Sequence, residues 1–266
     1  MPEGPEVKLF VDKLNSNFKD KVIDNVEVLS GRYIKNPIEN LDSLNNLKVF
    51  SFNCKGKFIW IDLGDIIVFN TLGMTGNWSR KKSDFSRIGV YFNDGNKVYF
   101  NDTRNFGTFQ LKSRSELERK LKSLGPDMLS NPPSTTDFIL RLRKKNSKDI
   151  CSALMNQSVI SGVGNYIKAE CLWYSRINPN SLVKNLTDEN LETLQKAIVF
   201  VINKSYSEQG ATIKSYYTFD NEEGNATKGF VVYGKATDYN GHKVIKEQTL
   251  DKRTTHWVKE RQVVGV

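Results

Sequence analysis

The chain opens Met1-Pro2-Glu3-Gly4-Pro5-Glu6-Val7, and its first residues are of types that can do covalent chemistry. Methionine is commonly removed ahead of a small residue, which would leave Pro2 as a free secondary amine. An α-amino group titrates near about 7.7–8.0 and a lysine near about 10.4, so roughly several hundred times more of the α-amine is neutral at pH 7. A neutral amine can attack an electrophilic carbon and form an iminium without a strongly shifted pKa. Glu3, adjacent to it, is placed to shuttle protons. The structural alternative is that Pro2 and Pro5 stiffen a helix entry, with acids at its positive end.

Other residues suit an anionic ligand. Lys55-Gly56-Lys57 precedes an apolar run, so Lys57 stands at a strand edge, as a phosphate contact or as a solvated lysine. Arg141, Arg143, Lys144, Lys145 and Lys148 put five cations into eight residues, either a solvated face or a backbone-phosphate patch. Gly162-Val163-Gly164 permits a close backbone approach, and Asn165 begins a helix whose first N–H groups favour a phosphate.

These residues need elements to hold them. Val7, Phe10, Val11, Leu14 and Phe18 have helical spacing over 5–18. From Val22 to about Leu111, short runs of Val, Ile, Phe and Tyr alternate with turn signals such as Gly64-Asp65 and Asn93-Asp94-Gly95, which predicts antiparallel strands. Leu124-Gly125-Pro126-Asp127 and Ser130-Asn131-Pro132-Pro133 read as a hinge. Helices are predicted at 134–145, 148–157, 165–176 and 187–206, with Ser134 to Asp137 offering caps for the first. Residues 208–229 read as a loop. From Phe230 we expect a strand, an Asn240-Gly241 turn and then a hairpin.

Composition narrows the class. The chain has 266 residues, 38% of them hydrophobic, enough for a folded core. No apolar run approaches the ~20 residues of a membrane span, and early charges argue against a signal peptide, so a soluble intracellular protein is expected. Lys and Arg number 39 against 30 Asp and Glu, a net +9. The division is 20 basic to 16 acidic residues up to Asp127, and 19 to 14 after it. A surplus spread over both halves suits a polyanion lying across both, or serves solubility alone. Cys54, Cys151 and Cys171 are odd in number and widely spaced, and with His242 and His256 as the only histidines no zinc site is expected.

Several blocks in order resemble the Fpg/Nei family, the formamidopyrimidine-DNA glycosylases and endonuclease VIII-like proteins. They are the opening MPEGPEV, Gly56-Lys57-Phe58, Leu72-Gly73-Met74-Thr75-Gly76, Asp102-Thr103-Arg104-Asn105-Phe106-Gly107 and Leu124-Gly125-Pro126-Asp127. Leu154-Met155-Asn156, Gly162-Val163-Gly164-Asn165-Tyr166 and Arg253-Thr254-Thr255 continue the series. The combination covers nearly the whole chain and is specific, although GxGN alone would be weak.

The resemblance implies an α+β fold: an N-terminal antiparallel β-sandwich with a leading helix (1–125), a helix–two-turn–helix domain (134–229), and a zincless-finger β-hairpin with a tail (230–266). It implies a bifunctional DNA glycosylase/AP lyase of base-excision repair that acts without a cofactor, as a monomer, on duplex DNA carrying damaged bases or abasic sites. Pro2 would attack C1′ and become a Schiff base. Glu3 would be the general acid/base, Glu6 a supporting carboxylate, and Lys57 a contact to the phosphate flanking the lesion. Met74, Arg104 and Phe106 would fill the hole left by an everted base; core packing is the alternative for Met74 and Phe106. Asn165, Lys148 and Arg253 would hold phosphates.

The chain departs from the bacterial pattern twice. It lacks the cysteines of a four-cysteine finger, and Thr71 stands where bacterial relatives usually have a phosphate-binding histidine, so that contact loses any charge. Oxidised pyrimidines and ring-opened purines are the expected lesions, and the 208–229 loop would lie over the everted base. A DNA-binding protein that kept the fold without catalysis is the alternative function. An RNA-binding or general basic protein would explain the charge but not the motif order.

Overall fold

The computed structural model describes residues 2–211, Phe219 and 224–265. It divides into two compact units, one of residues 1–122 with 208–225 and one of 123–207 with 226–266. The expected 208–229 loop falls largely outside the described residues.

The first unit begins with helix α1 (Gly4–Phe18), whose expected apolar positions Val7, Phe10, Val11, Leu14 and Phe18 are all buried. Strand β1 (Ile23–Val28) and the short helix α2 (Arg32–Lys35) follow, then β2 (Ser51–Lys55), β3 (Phe58–Asp62), β4 (Ile66–Thr71) and β5 (Gly76–Ser79). Strands β6 (Ser86–Phe92), β7 (Lys97–Asp102) and β8 (Thr108–Ser113) and helix α3 (Arg114–Ser123) complete it. The strands form two antiparallel sheets, in the orders β1-β6-β7-β5 and β2-β3-β4-β8. Ile59, Ile61 and Val68 from one sheet join Ile88, Val90, Val98 and Phe100 from the other in a single core that also takes in α1 and Phe219. Burying a side chain of this size is worth about 1.5–3 kcal/mol, so the core fixes α1 firmly, and with it the residues at its start.

The second unit contains α4 (Thr135–Arg143), α5 (Ile150–Met155), α6 (Asn165–Tyr174) and α7 (Asp188–Ser207), then a hairpin of β9 (Ile245–Gln248) and β10 (Thr254–Trp257). Ser134 and Asp149 cap α4 and α5 by accepting from Asp137 N–H and Ser152 N–H. Helix α6 is buried from Tyr166 through Trp173, the pattern of a helix surrounded by protein.

Three readings of the sequence meet a different arrangement. The 124–133 stretch is no free hinge: Gly125 N–H donates to Gln157 O (2.9 Å) and Ser161 N–H to Pro126 O (2.8 Å). A Cβ on Gly125 would lie 2.5 Å from Val159 backbone atoms, so only glycine permits this approach. The strand expected from Phe230 is instead a series of turns, because the amides of Val231, Val232 and Tyr233 all donate to the Glu170 carboxylate rather than to a neighbouring strand. The hairpin belongs to the same compact unit as the helices, while residues 208–225 group with the first unit; Ala211 and Phe219 make contacts there that no local pattern announces.

Candidate functional site

Pro2 is buried at the start of α1, beside Glu3 and Glu6, which are 2% and 1% exposed. Glu3 is the helix N-cap. Its side chain accepts the Glu6 N–H, and the Glu6 carboxylate accepts the Glu3 N–H in return (2.8 Å), a reciprocal capping box built on two acids. The second oxygen of Glu6 accepts Ala211 N–H (2.8 Å). Glu6 therefore ties the helix start to the returning segment, where Gly210, at φ +79°, passes so close that a Cβ would meet Glu6 at 3.1 Å. The helix-entry role weighed for these residues is realised, and it fixes the backbone of Pro2 and Glu3.

Lys57 occupies the two-residue turn between β2 and β3, after Gly56 at φ +58°. Neighbouring Lys55 donates to Leu121 O (2.9 Å), anchoring the turn's base.

Met74, Arg104 and Phe106 come together. The Arg104 guanidinium lies 3.2 Å from Met74 Sδ and 4.8 Å from the centroid of the Phe106 ring. Phe106 is 54% exposed, which excludes core packing for it. Asp102 holds the two loops in register, accepting from the Thr75 hydroxyl (2.5 Å) and Gly107 N–H (2.6 Å), while Thr75 Oγ1 accepts Arg104 N–H (2.9 Å). Gly73, at φ +59°, lets the loops touch: a Cβ there would lie 2.8 Å from Gly107 N. Thr71 is less available than expected, since its hydroxyl pairs with that of Thr108 (2.8 Å) and accepts Thr108 N–H (3.2 Å).

In the second unit, Asn165 opens α6 after Gly164 and donates through Nδ2 to Thr254 O (2.9 Å), linking the helix start to the hairpin. Gln157 organises the turns before it, accepting Gly162 N–H (3.1 Å) and donating to Val163 O (3.0 Å). Lys148 is exposed beside the α5 cap. Two of its neighbouring cations have structural work: Arg141 pairs with Asp137 (2.7 Å), and Arg143 holds Val183 O (3.0 Å), Leu186 O (2.8 Å) and Asp188. Arg253 is exposed at the tip of the hairpin.

The formamidopyrimidine-DNA glycosylase N-terminal domain model matches residues 1–109, and the H2TH domain model of the same glycosylases matches residues 124–217. The formamidopyrimidine-DNA glycosylase of Ureaplasma parvum is 34% identical over 249 residues, 90% of each chain. The chain belongs to the formamidopyrimidine-DNA glycosylase family. Its fold is that of the MutM (Fpg) protein from Thermus thermophilus, with a TM-score of 0.87 at 24% identity over the whole of both chains. Lactococcus lactis Fpg, solved with DNA containing an abasic site, gives 0.88 at 23% identity over 98% of this chain and 99% of that one.

The zinc finger common among formamidopyrimidine-DNA glycosylases does not fit the residues present here. The last cysteine, Cys171, is buried in α6 with its thiol pushed well up by desolvation. His242 pairs with Asp238 (3.3 Å), and His256 lies against Tyr233 with ring centroids 4.8 Å apart. Protein groups hold the region instead: Glu170 accepts three amides at 2.8–2.9 Å, and Lys168 meets Asp251. Burial pushes the Glu170 carboxyl up against the opposite pull of those amides. Lys168, Glu170, Gln157 and Asp251 escaped the sequence reading, and Asp102 figured there only as part of a motif block. The signal for two of them was present, since Lys168 and Glu170 are charges inside an otherwise apolar helix and must be paired if buried.

Proposed function

We propose that this protein is a bifunctional DNA glycosylase/AP lyase of base-excision repair, working inside the cell on duplex DNA with damaged bases or abasic sites. Formamidopyrimidines head its lesions, because relatives at 34% and 30% identity bear that name; oxidised pyrimidines follow. The observation that carries the reading is Pro2 buried beside two buried carboxylates at a helix start anchored by the core.

With Met1 removed, the Pro2 nitrogen donates its lone pair to C1′, and the glycosidic bond breaks with its electrons leaving on the base, which takes up a proton. Glu3 protonates the sugar ring oxygen, the ring opens and the nitrogen–carbon bond becomes an iminium. Loss of a C2′ proton then expels the 3′-phosphate, and a second elimination expels the 5′-phosphate. Glu6 holds Glu3 in place and Lys57 steadies the flanking phosphate. Met74, Arg104 and Phe106 fill the vacated stack, offsetting an eversion cost of a few kcal/mol. Asn165, Lys148 and Arg253 bind phosphates; Thr71 joins them only if its hydroxyl leaves that of Thr108. The hairpin works without metal.

A duplex with a single formamidopyrimidine, assayed separately for free base and for strand scission, tests the reading. Release of base followed by scission is expected from the native chain, and loss of both from Glu3→Gln. Tight lesion binding with neither product would make the protein a silent DNA binder.

A further inference from the structure

The turn that carries Arg253 is anchored from α6 by one buried charge pair. Lys168 lies one helical turn beyond Asn165, so both side chains emerge on one face. Asn165 Nδ2 reaches Thr254 O at 2.9 Å and Lys168 Nζ reaches Asp251 Oδ2 at 2.5 Å. The two anchors bracket Arg253 in sequence. Asp251 Oδ1 accepts the Thr249 hydroxyl (2.6 Å) and the Arg253 N–H (3.2 Å), and Thr249 N–H donates to Arg253 O (3.1 Å). The Lys168 side chain is 0% exposed and that of Asp251 4%. Burial alone would raise the Asp251 carboxyl; the bonds from Lys168 and Thr249 outweigh it and hold it low.

Such a pair is a poor source of stability. Desolvating both charges cancels most of their attraction, and apolar residues of similar volume serve the fold as well. What the pair adds is direction: a charged hydrogen bond fixes the turn at one place on the helix, whereas an apolar contact tolerates sliding. We propose that Lys168 and Asp251 are positioning residues that set Arg253 against a DNA phosphate, the task a metal-built finger performs in relatives. This rests on the assignment of Arg253 to phosphate made above.

The test compares Lys168→Met/Asp251→Leu, Arg253→Ala and the triple variant by melting and by binding to a duplex with a tetrahydrofuran abasic analogue across a salt series. Arg253→Ala is expected to weaken binding about ten- to a hundredfold and to reduce the salt slope by about one phosphate's worth. The double variant should melt within a few degrees of the parent, yet show the same loss and slope, and the triple variant should be no weaker than either. Lys168→Gln/Asp251→Asn, which keeps the turn's own acceptor and removes both charges together, covers the case in which the first double variant does not fold. It should raise KM for lesion DNA at least threefold and leave kcat unchanged. Parent-like binding by Lys168→Met/Asp251→Leu, additive losses in the triple, or an unchanged KM in Lys168→Gln/Asp251→Asn each overturn the proposal while leaving the phosphate role of Arg253 intact. Parent-like binding by Arg253→Ala would sink that role, and this proposal with it.

Discussion

Glu3 and Glu6 are indistinguishable by residue type and share one capping box, but only Glu6 also accepts an amide from the returning segment. Both oxygens of Glu6 are aimed at backbone donors, the N–H groups of Glu3 and Ala211. Glu6→Gln would turn an amide NH2 onto one of these donors, so a loss of about 1–3 kcal/mol in unfolding free energy is expected, measured by urea denaturation. Glu3→Gln should instead melt close to the parent and slow base release by about 10²–10⁴-fold. Equal destabilisation by both would show that Glu3 is only a cap. The helix start that holds Pro2, Glu3 and Glu6 was legible in the sequence; the second partner of Glu6, which lies 205 positions along the chain, was not. Phe106 is the reverse case. Its type alone favoured core packing and only the surrounding motifs favoured a wedge; 54% exposure excludes the core. Phe106→Ala should change stability by less than about 0.5 kcal/mol, yet slow excision from duplex at least tenfold. A melting temperature that falls in step with activity would make it structural.

Elements were legible where periodicity governs them. The α1 stripe, the α4 cap at Ser134 and the alternating strands each follow from local spacing, and each is present. The stretch after Phe230 fails that logic. Val231, Val232 and Tyr233 have strand-forming types, but one carboxylate from α6 satisfies all three amides and leaves nothing for a ladder. In β10, His256 is buried with no hydrogen-bond partner for Nδ1 among the described residues. Burial first, and then the charge of Lys246, hold its pKa below 6.5. The unfolded chain takes up that proton near pH 6.5 and the folded chain only at lower pH. Its stability is therefore full above about pH 6.5 and falls as the pH drops from there through the folded value, by at most about 1.4 kcal/mol per unit. Between pH 7.5 and 5, the unfolding free energy of the parent should lose ground to that of His256→Phe. A difference constant across that range would contradict the shift.

At the scale of the whole chain, the charge balance and the motif order pointed the same way, and neither alone would have sufficed. A net +9 spread over both halves fits any polyanion; the ordered blocks select one family, and both domain matches follow that order. What the order did not convey was that the first unit is discontinuous, closed by residues 208–225 that return from beyond α7. We propose that the covalent chemistry belongs to Pro2 rather than to any of the many lysines. Borohydride reduction during reaction with abasic-site DNA, followed by proteolysis and mass analysis of the trapped adduct, tests it most directly. One DNA adduct per chain is expected, on the peptide beginning at Pro2, and it should disappear when residues are fused ahead of Pro2. An adduct on Lys57 or another lysine, or base release undiminished by such a fusion, would contradict it.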